Sequence, residues 1–161
     1  MSAELKEVRL FVMDVDGTMT DGKIYVGADG EMMKAFNVKD GYALVRCQDY
    51  GIKTAIITGR SSKIVENRAE ILKVDEVFQN VTNKVAVLEN LVNKYNYKWL
   101  EVVYIGDDEN DLECMKKCGY SACPFDAVRS VIETADYICT HKGGDGAVRE
   151  ILDKIFEAKS K

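Results

Sequence analysis

Residues 10–21 read LFVMDVDGTMTD, and this stretch limits what the chain can fold into more than any other. An apolar run (Val8, Leu10, Phe11, Val12, Met13) ends abruptly at two carboxylates, Asp14 and Asp16, followed at once by Gly17 and Thr18. Continuous apolar character over this length suits a strand buried on both faces of a parallel sheet. Ligands of such sheets collect at the carboxyl ends of the strands. The chain thus uses a fully buried element to carry two acids to that edge. Acids so close repel one another unless a cation sits between them or one is protonated.

The rest of the chain alternates in kind. Residues 53–58 (KTAIIT), 76–79, 101–105 (EVVYI), 120–123 and 137–139 read as further strands. Helical spacing of apolar residues recurs over 40–50, over Ile64–Leu72 behind a Ser61 or Ser62 cap, from a Thr82 cap to about Tyr95, over 109–117, over about 127–134, and in a final amphipathic segment after Gly146. Strands and helices alternating at this spacing predict an α/β fold, a Rossmann-like doubly wound parallel sheet, in one domain over residues 1–161. Lys23–Phe36 interrupts the first crossover with two short apolar segments around Ala28-Asp29-Gly30, a hairpin whose Ile24, Tyr25, Val26, Met32, Met33 and Phe36 need a partner surface. No insertion is long enough to form a cap domain over the strand ends.

A net charge of -5 argues against nucleic acid or an anionic membrane as partner. No apolar run reaches the roughly 18 residues needed to cross a bilayer, and MSAELKEVRL lacks the apolar core of a signal peptide. Five cysteines without a CxxC pair read as reduced, mostly buried thiols of a cytoplasmic protein.

Three strand tips carry chemistry: Asp14/Asp16, Thr58-Gly59-Arg60 and Asp107/Asp108/Asp111, with Lys84 at a helix start where a cation opposes the helix dipole. Oxygen ligands with open positions suit a hard octahedral cation such as Mg2+. A carboxylate that attacks phosphorus becomes an aspartyl phosphate, and a second carboxyl two residues on can carry protons for the leaving group and for water. The same features fit a receiver domain that stores phosphate on an aspartate without turnover, although such a domain has no use for Asp16.

Asp14-Val15-Asp16-Gly17-Thr18, Thr58-Gly59, Lys84 and Gly106-Asp107-Asp108-Glu109-Asn110-Asp111 resemble, in order and spacing, the four motifs of the haloacid dehalogenase superfamily of phosphatases. The resemblance implies Asp14 as nucleophile, Asp16 as general acid/base and Mg2+ held by the Asp14 side chain, the Asp16 carbonyl and Asp107. It also implies Thr58, Gly59, Lys84 and Asn110 at the phosphoryl group, with Asp108 and Asp111 supporting the metal. Thr20-Asp21-Gly22, the hairpin, Phe36–Gly41, Arg68-Ala69-Glu70 and the Gly143–Gly146 tail with Arg149 resemble a capless subgroup acting on sugar-acid phosphates. In that subgroup four hairpins form a central barrel, and a neighbour's body and tail cover the open site, so the resemblance implies a homotetramer through residues 23–36. It adds Arg60 and Arg68 as contacts to the substrate. Arg60 favours an eight-carbon keto-sugar acid 8-phosphate over a nine-carbon 9-phosphate, and a non-enzymatic tetramerising domain is the remaining alternative.

Overall fold

The computed structural model describes residues 5–161. Its strands are β1 (Leu10–Met13), β2 (Tyr25–Gly27), β3 (Gly30–Met33), β4 (Lys53–Ile57), β5 (Glu76–Phe78), β6 (Val102–Ile105), β7 (Tyr120–Cys123) and β8 (Tyr137–Ile138). The α-helices are α1 (Val38–Arg46), α2 (Lys63–Ile71), α3 (Lys84–Lys94), α4 (Leu112–Lys117), α5 (Arg129–Ile132) and α6 (Ala147–Lys159). Six strands form one parallel sheet in the order β5-β4-β1-β6-β7-β8, while β2 and β3 pair antiparallel as a separate hairpin. The chain winds outward from β1 through β4 to β5, then returns to β6 and winds the other way. β1 therefore lies at the switch point, where a crevice opens beyond the strand ends.

All four residues of β1 are buried, and full burial of such side chains is worth roughly 1.5–3 kcal/mol each. The two-residue period sends alternate side chains to opposite faces. Phe11 and Met13 join Ile56, Val103 and Ile105 beneath α1, α2 and α6, whereas Leu10 and Val12 join Ile57, Tyr104, Leu88 and Leu91 on the α3/α4 side. Asp14 follows Val12 in that period, and this aims it at α3.

Several helix boundaries move for identifiable reasons. Asn37 caps α1 by accepting from the amides of Lys39 and Asp40, so the helix begins before residue 40. It gives way at Cys47 to a 3-10 turn that Gly51 ends at φ +66. The cap of α3 is Asn83, not Thr82, its Oδ1 accepting from the Ala86 amide. The segment expected as one helix over 109–117 splits into a 3-10 turn at Glu109–Asp111 and α4, because the Asp111 carboxylate turns back onto the amides of Asp107 and Asp108. The helix expected over about 127–134 is confined to α5.

The tail is not a free arm. Gly144 donates its amide to Thr18 O, and a Cβ at Gly143 would stand 1.8 Å from Gly17 O, so the glycines let the chain press against the loop after β1. Val148, Ile151, Leu152, Ile155 and Phe156 of α6 then fill the core of this same chain. Among the described residues no segment forms a cap domain, and no helix is long and apolar enough to cross a membrane.

Candidate active site

The tips of β1 and β6 bring three acids together. One carboxylate oxygen from each of Asp14, Asp107 and Asp111 lies within 4.8 Å of the other two. Close backbone approach makes this possible. Gly17 has φ +93, and a Cβ there would stand 2.0 Å from Asp107 Oδ2. A Cβ at Gly106 would stand 2.4 Å from Asp111 Cγ.

The three acids are held differently. Asp111, fully buried, accepts from Lys84 Nζ (2.8 Å) and Tyr104 OH (2.6 Å) at Oδ1 and from two amides at Oδ2. Asp14 accepts from the same Lys84 ammonium at 2.8 Å, and Asp107 Oδ1 accepts from Thr18 Oγ at 2.8 Å. Asp14 and Asp107 are thus the more open donors, with Asp111 a saturated support. Burial, then the Asp111 charge, raises the Asp14 carboxyl to about 6 despite Lys84. Burial, then the Asp14 charge, pushes Asp107 up to about 8. One ammonium among two buried carboxylates and a half-buried one leaves negative charge in excess. An all-oxygen, charge-rich cluster with two open donors fits a hard divalent cation. The residues present therefore fit Mg2+.

The sequence-predicted residues fall into place unevenly. Asp14, Asp16, Thr58, Gly59, Arg60, Asp108 and Asn110 line one cleft of about 160 Å³. Lys84 lies beneath it, buried, and burial is outweighed by Asp14 and Asp111, which hold its ammonium charged. That ion pairing explains a cation in the first turn of α3 against the dipole. The Asp16 side chain is outside the acid cluster. Arg60 is 54% exposed, with Nε 3.9 Å from Asp16 Oδ2. Arg68 is not among the cleft residues. Its guanidinium stacks over Phe36 at 5.6 Å beside Gly41, and its buried Nε has no partner.

Sequence reasoning passed over three groups. Thr18 fixes Asp107 across the loop, and Tyr104 fixes Asp111. Lys34, at the end of the hairpin, reaches Asp16 Oδ1 at 2.5 Å and Glu31 Oε1 at 2.9 Å with its side chain 2% exposed. A tyrosine inside an apolar strand needs a buried partner for its hydroxyl, and a lone lysine between Met33 and Ala35 breaks the apolar pattern. Both were available as signals. A larger cleft of about 550 Å³ lies along α6, where His141 pairs with Glu150 and Arg149 with Asp153.

A doubly wound sheet that presents an acid cluster and a buried lysine at the tip of its central strand is the arrangement of a hydrolase built for anionic substrates. The model of the haloacid dehalogenase-like hydrolase family matches residues 74–151. The 3-deoxy-D-manno-octulosonate 8-phosphate phosphatase of Escherichia coli (strain K12) is 41% identical over 159 residues, covering 99% of this chain and 85% of that protein. The phosphatase of that name from Yersinia pestis has a crystal structure that superposes with a TM-score of 0.95 at 40% identity, over 98% of this chain and 85% of that one. A Moraxella catarrhalis phosphatase of the same name, solved with magnesium ion, phosphate ion and KDO, gives a TM-score of 0.94 at 38% identity over 98% and 90% of the two chains. The chain belongs to the haloacid dehalogenase-like hydrolase family.

Proposed function

We propose that this protein is a Mg2+-dependent phosphatase that hydrolyses 3-deoxy-D-manno-octulosonate 8-phosphate to the free sugar acid and phosphate. The observation that carries the reading is the buried Asp14–Lys84–Asp111 bridge beside Asp107 at the tip of the central strand. The relatives at about 40% identity over nearly the whole chain support the substrate. Asp14 is the nucleophile: its carboxylate oxygen forms a bond to phosphorus while the bond from phosphorus to the sugar oxygen breaks. Asp16 gives that oxygen its proton. It then takes a proton from a water that attacks phosphorus, freeing Asp14 and inorganic phosphate.

Mg2+ is held by the carboxylates of Asp14 and Asp107 and the carbonyl of Asp16, and supplies charge neutralisation between nucleophile and phosphoryl oxygens. Lys84 keeps Asp14 aimed and adds positive charge beneath it. Thr58, Gly59 and Asn110, on the cleft wall, receive the phosphoryl oxygens. Arg60, at the open side, receives the sugar-acid carboxylate; Arg68, outside the cleft over Phe36, would have to leave that ring to join it.

Residues 1–161 act as one domain, in the cytoplasm where such phosphorylated metabolites are held. Val26, Met32 and Met33 on the hairpin are 67%, 66% and 50% exposed. Exposed apolar side chains concentrated on one short hairpin support assembly through residues 23–36, in a homotetramer. Phosphate release measured with Mg2+ against eight-carbon, nine-carbon and hexose phosphates tests the function. A clear preference for the eight-carbon ester is expected, and equal rates on all three defeat the substrate reading. Asp14→Asn is expected to abolish turnover. Sedimentation of Met32→Lys is expected to show dissociated subunits, and an unchanged coefficient refutes the hairpin interface.

A further inference from the structure

The end of the hairpin changes character within one residue: Met32 and Met33 are exposed, whereas the side chain of Lys34 is 2% exposed. Its ammonium sits between two carboxylates, Asp16 at 2.5 Å and Glu31 at 2.9 Å. Glu31 in turn accepts from the Ser62 hydroxyl. The same Ser62 oxygen accepts from the Val65 amide and so caps α2, directly after the Thr58-Gly59-Arg60 tip. Burial opposes charge on both Lys34 and Glu31, yet their hydrogen bonds with Asp16 and Ser62 outweigh it, so Lys34 is held above and Glu31 below its ordinary value. The chain Ser62–Glu31–Lys34–Asp16 runs from a rigid helix start to the side chain that moves protons.

From this geometry we infer that Lys34 is a positioning residue for the reaction. It fixes the Asp16 carboxyl at the leaving-group side of the cleft, and Glu31 and Ser62 fix Lys34. A surface ion pair would do this poorly, because long side chains in water hold no single geometry. Here the ammonium is out of water and held by two acceptors, so its position is determined. Asp14 needs no help from Lys34, since it has its own lysine on the opposite side. Loss of Lys34 therefore impairs the proton transfer to the departing sugar oxygen and spares the attack on phosphorus. The inference rests on the phosphatase reading, and specifically on Asp16 as the acid.

The test compares two esters of different leaving group in the intact protein with Mg2+. An alkyl sugar-acid phosphate needs its oxygen protonated as it leaves, whereas p-nitrophenyl phosphate departs as a stable anion. Rapid-quench measurement of aspartyl-phosphate formation isolates that step from the later hydrolysis. Asp16→Asn is the reference and is expected to slow the alkyl ester far more than the aryl ester. Lys34→Met, which keeps the length and apolar stem, is expected to lower alkyl-ester cleavage by about 10–100-fold, part of the 10²–10⁴-fold typical of acid–base catalysis. It should change aryl-ester cleavage by less than about threefold and leave KM within about twofold. Glu31→Gln, which disturbs the hairpin less, is expected to show the same asymmetry with a smaller loss, and it decides the matter if Lys34→Met does not fold.

Equal losses on both esters would make Lys34 a structural strut and overturn the inference. A rise in KM with kcat retained would make it a substrate ligand and also overturn it. If Asp16→Asn shows no leaving-group dependence, the assignment of Asp16 falls and the inference falls with it. If Asp16→Asn shows the dependence and the Lys34 and Glu31 variants do not, the inference alone fails.

Discussion

Tyr104→Phe isolates one hydroxyl in the support of the active site. The Tyr104 side chain is fully buried in β6, and its OH donates to Asp111 Oδ1 at 2.6 Å. Burial, then the Asp111 charge, pushes that phenol well above its ordinary value, so it is a donor at every working pH. Phenylalanine keeps the ring and leaves almost no cavity, so the change removes a hydrogen bond and little else. A bond to an ionised partner is worth about 1.5–3 kcal/mol. Asp111 retains Lys84 and two amides, which places the expected loss near the lower bound.

For a chain of this size each kcal/mol moves the melting temperature by about 2–4 °C, so Tyr104→Phe is expected to melt roughly 3–6 °C lower. The same bond fixes the carboxylate that steadies Lys84, and Lys84 steadies Asp14. Losing about 1.4 kcal/mol of that alignment in the transition state would cost about tenfold in kcat. Calorimetric melting and steady-state kinetics of the two proteins measure both quantities. A variant as stable and as fast as the parent would refute the reasoning, because it would mean the hydroxyl recovers only its own desolvation.

Three further outcomes follow from the site and its surroundings. Gly17→Ala must place a methyl 2.0 Å from Asp107 Oδ2 at φ +93, so Mg2+ binding measured by titration calorimetry is expected to weaken at least tenfold; unchanged affinity would show that the loop is free to move. Mg2+ at a hundred times its Kd is expected to stabilise the protein by about 2.7 kcal/mol over the chelated form. Asp107→Asn should lose that increment yet melt higher than the parent in chelator, since a carboxyl whose ionisation is opposed first by burial and then by Asp14 is gone; a lower melting point in chelator would contradict the electrostatic account. Far from the cluster, burial opposes ionisation of Glu150, but the Thr140 amide, His141 and Tyr137 outweigh it and hold its carboxyl at about 2. A depressed acid stabilises the fold above its unfolded value of 4.5 and loses that stabilisation as pH falls towards 2. Glu150→Gln is therefore expected to melt lower than the parent at pH 7, with the gap closing between pH 4.5 and pH 2, and a gap independent of pH would refute it.

The sheet was legible because burial on both faces writes itself as unbroken apolar runs, and the strand-end acids were legible because nothing in a core tolerates them unpartnered. What joins the acids was not. Thr18 meets Asp107 across 89 residues, a contact that the winding order creates and no local pattern announces, and Tyr104 signals only that its hydroxyl needs a buried partner, not that the partner is Asp111 beneath Lys84. The start of α3 shifted because Asn83 stands beside the expected Thr82 cap, and its amide oxygen reaches the same orphan N–H groups. The glycines of the tail signal close approach as readily as freedom, and only the contacts with Gly17 and Thr20 decide between them.

The Asp14/Asp16 pair shows how the fold resolves what the sequence poses as a conflict. In a continued strand, residues two apart would point to one face and their charges would meet. β1 stops at Met13, and the chain turns through Val15 to Gly17 at φ +93. Asp14 keeps the strand's direction towards α3 and finds Lys84, whereas Asp16 swings to the hairpin and finds Lys34. Each carboxylate has a buried lysine of its own, on opposite sides of the turn. In the proposed mechanism the two do different work at the same pH, one attacking phosphorus and the other carrying a proton, and their side chains need no shared ammonium. The glycine that lets Asp107 approach thus belongs to the turn that parts the two acids, and this is why a single substitution at Gly17 should disturb metal binding and proton transfer together.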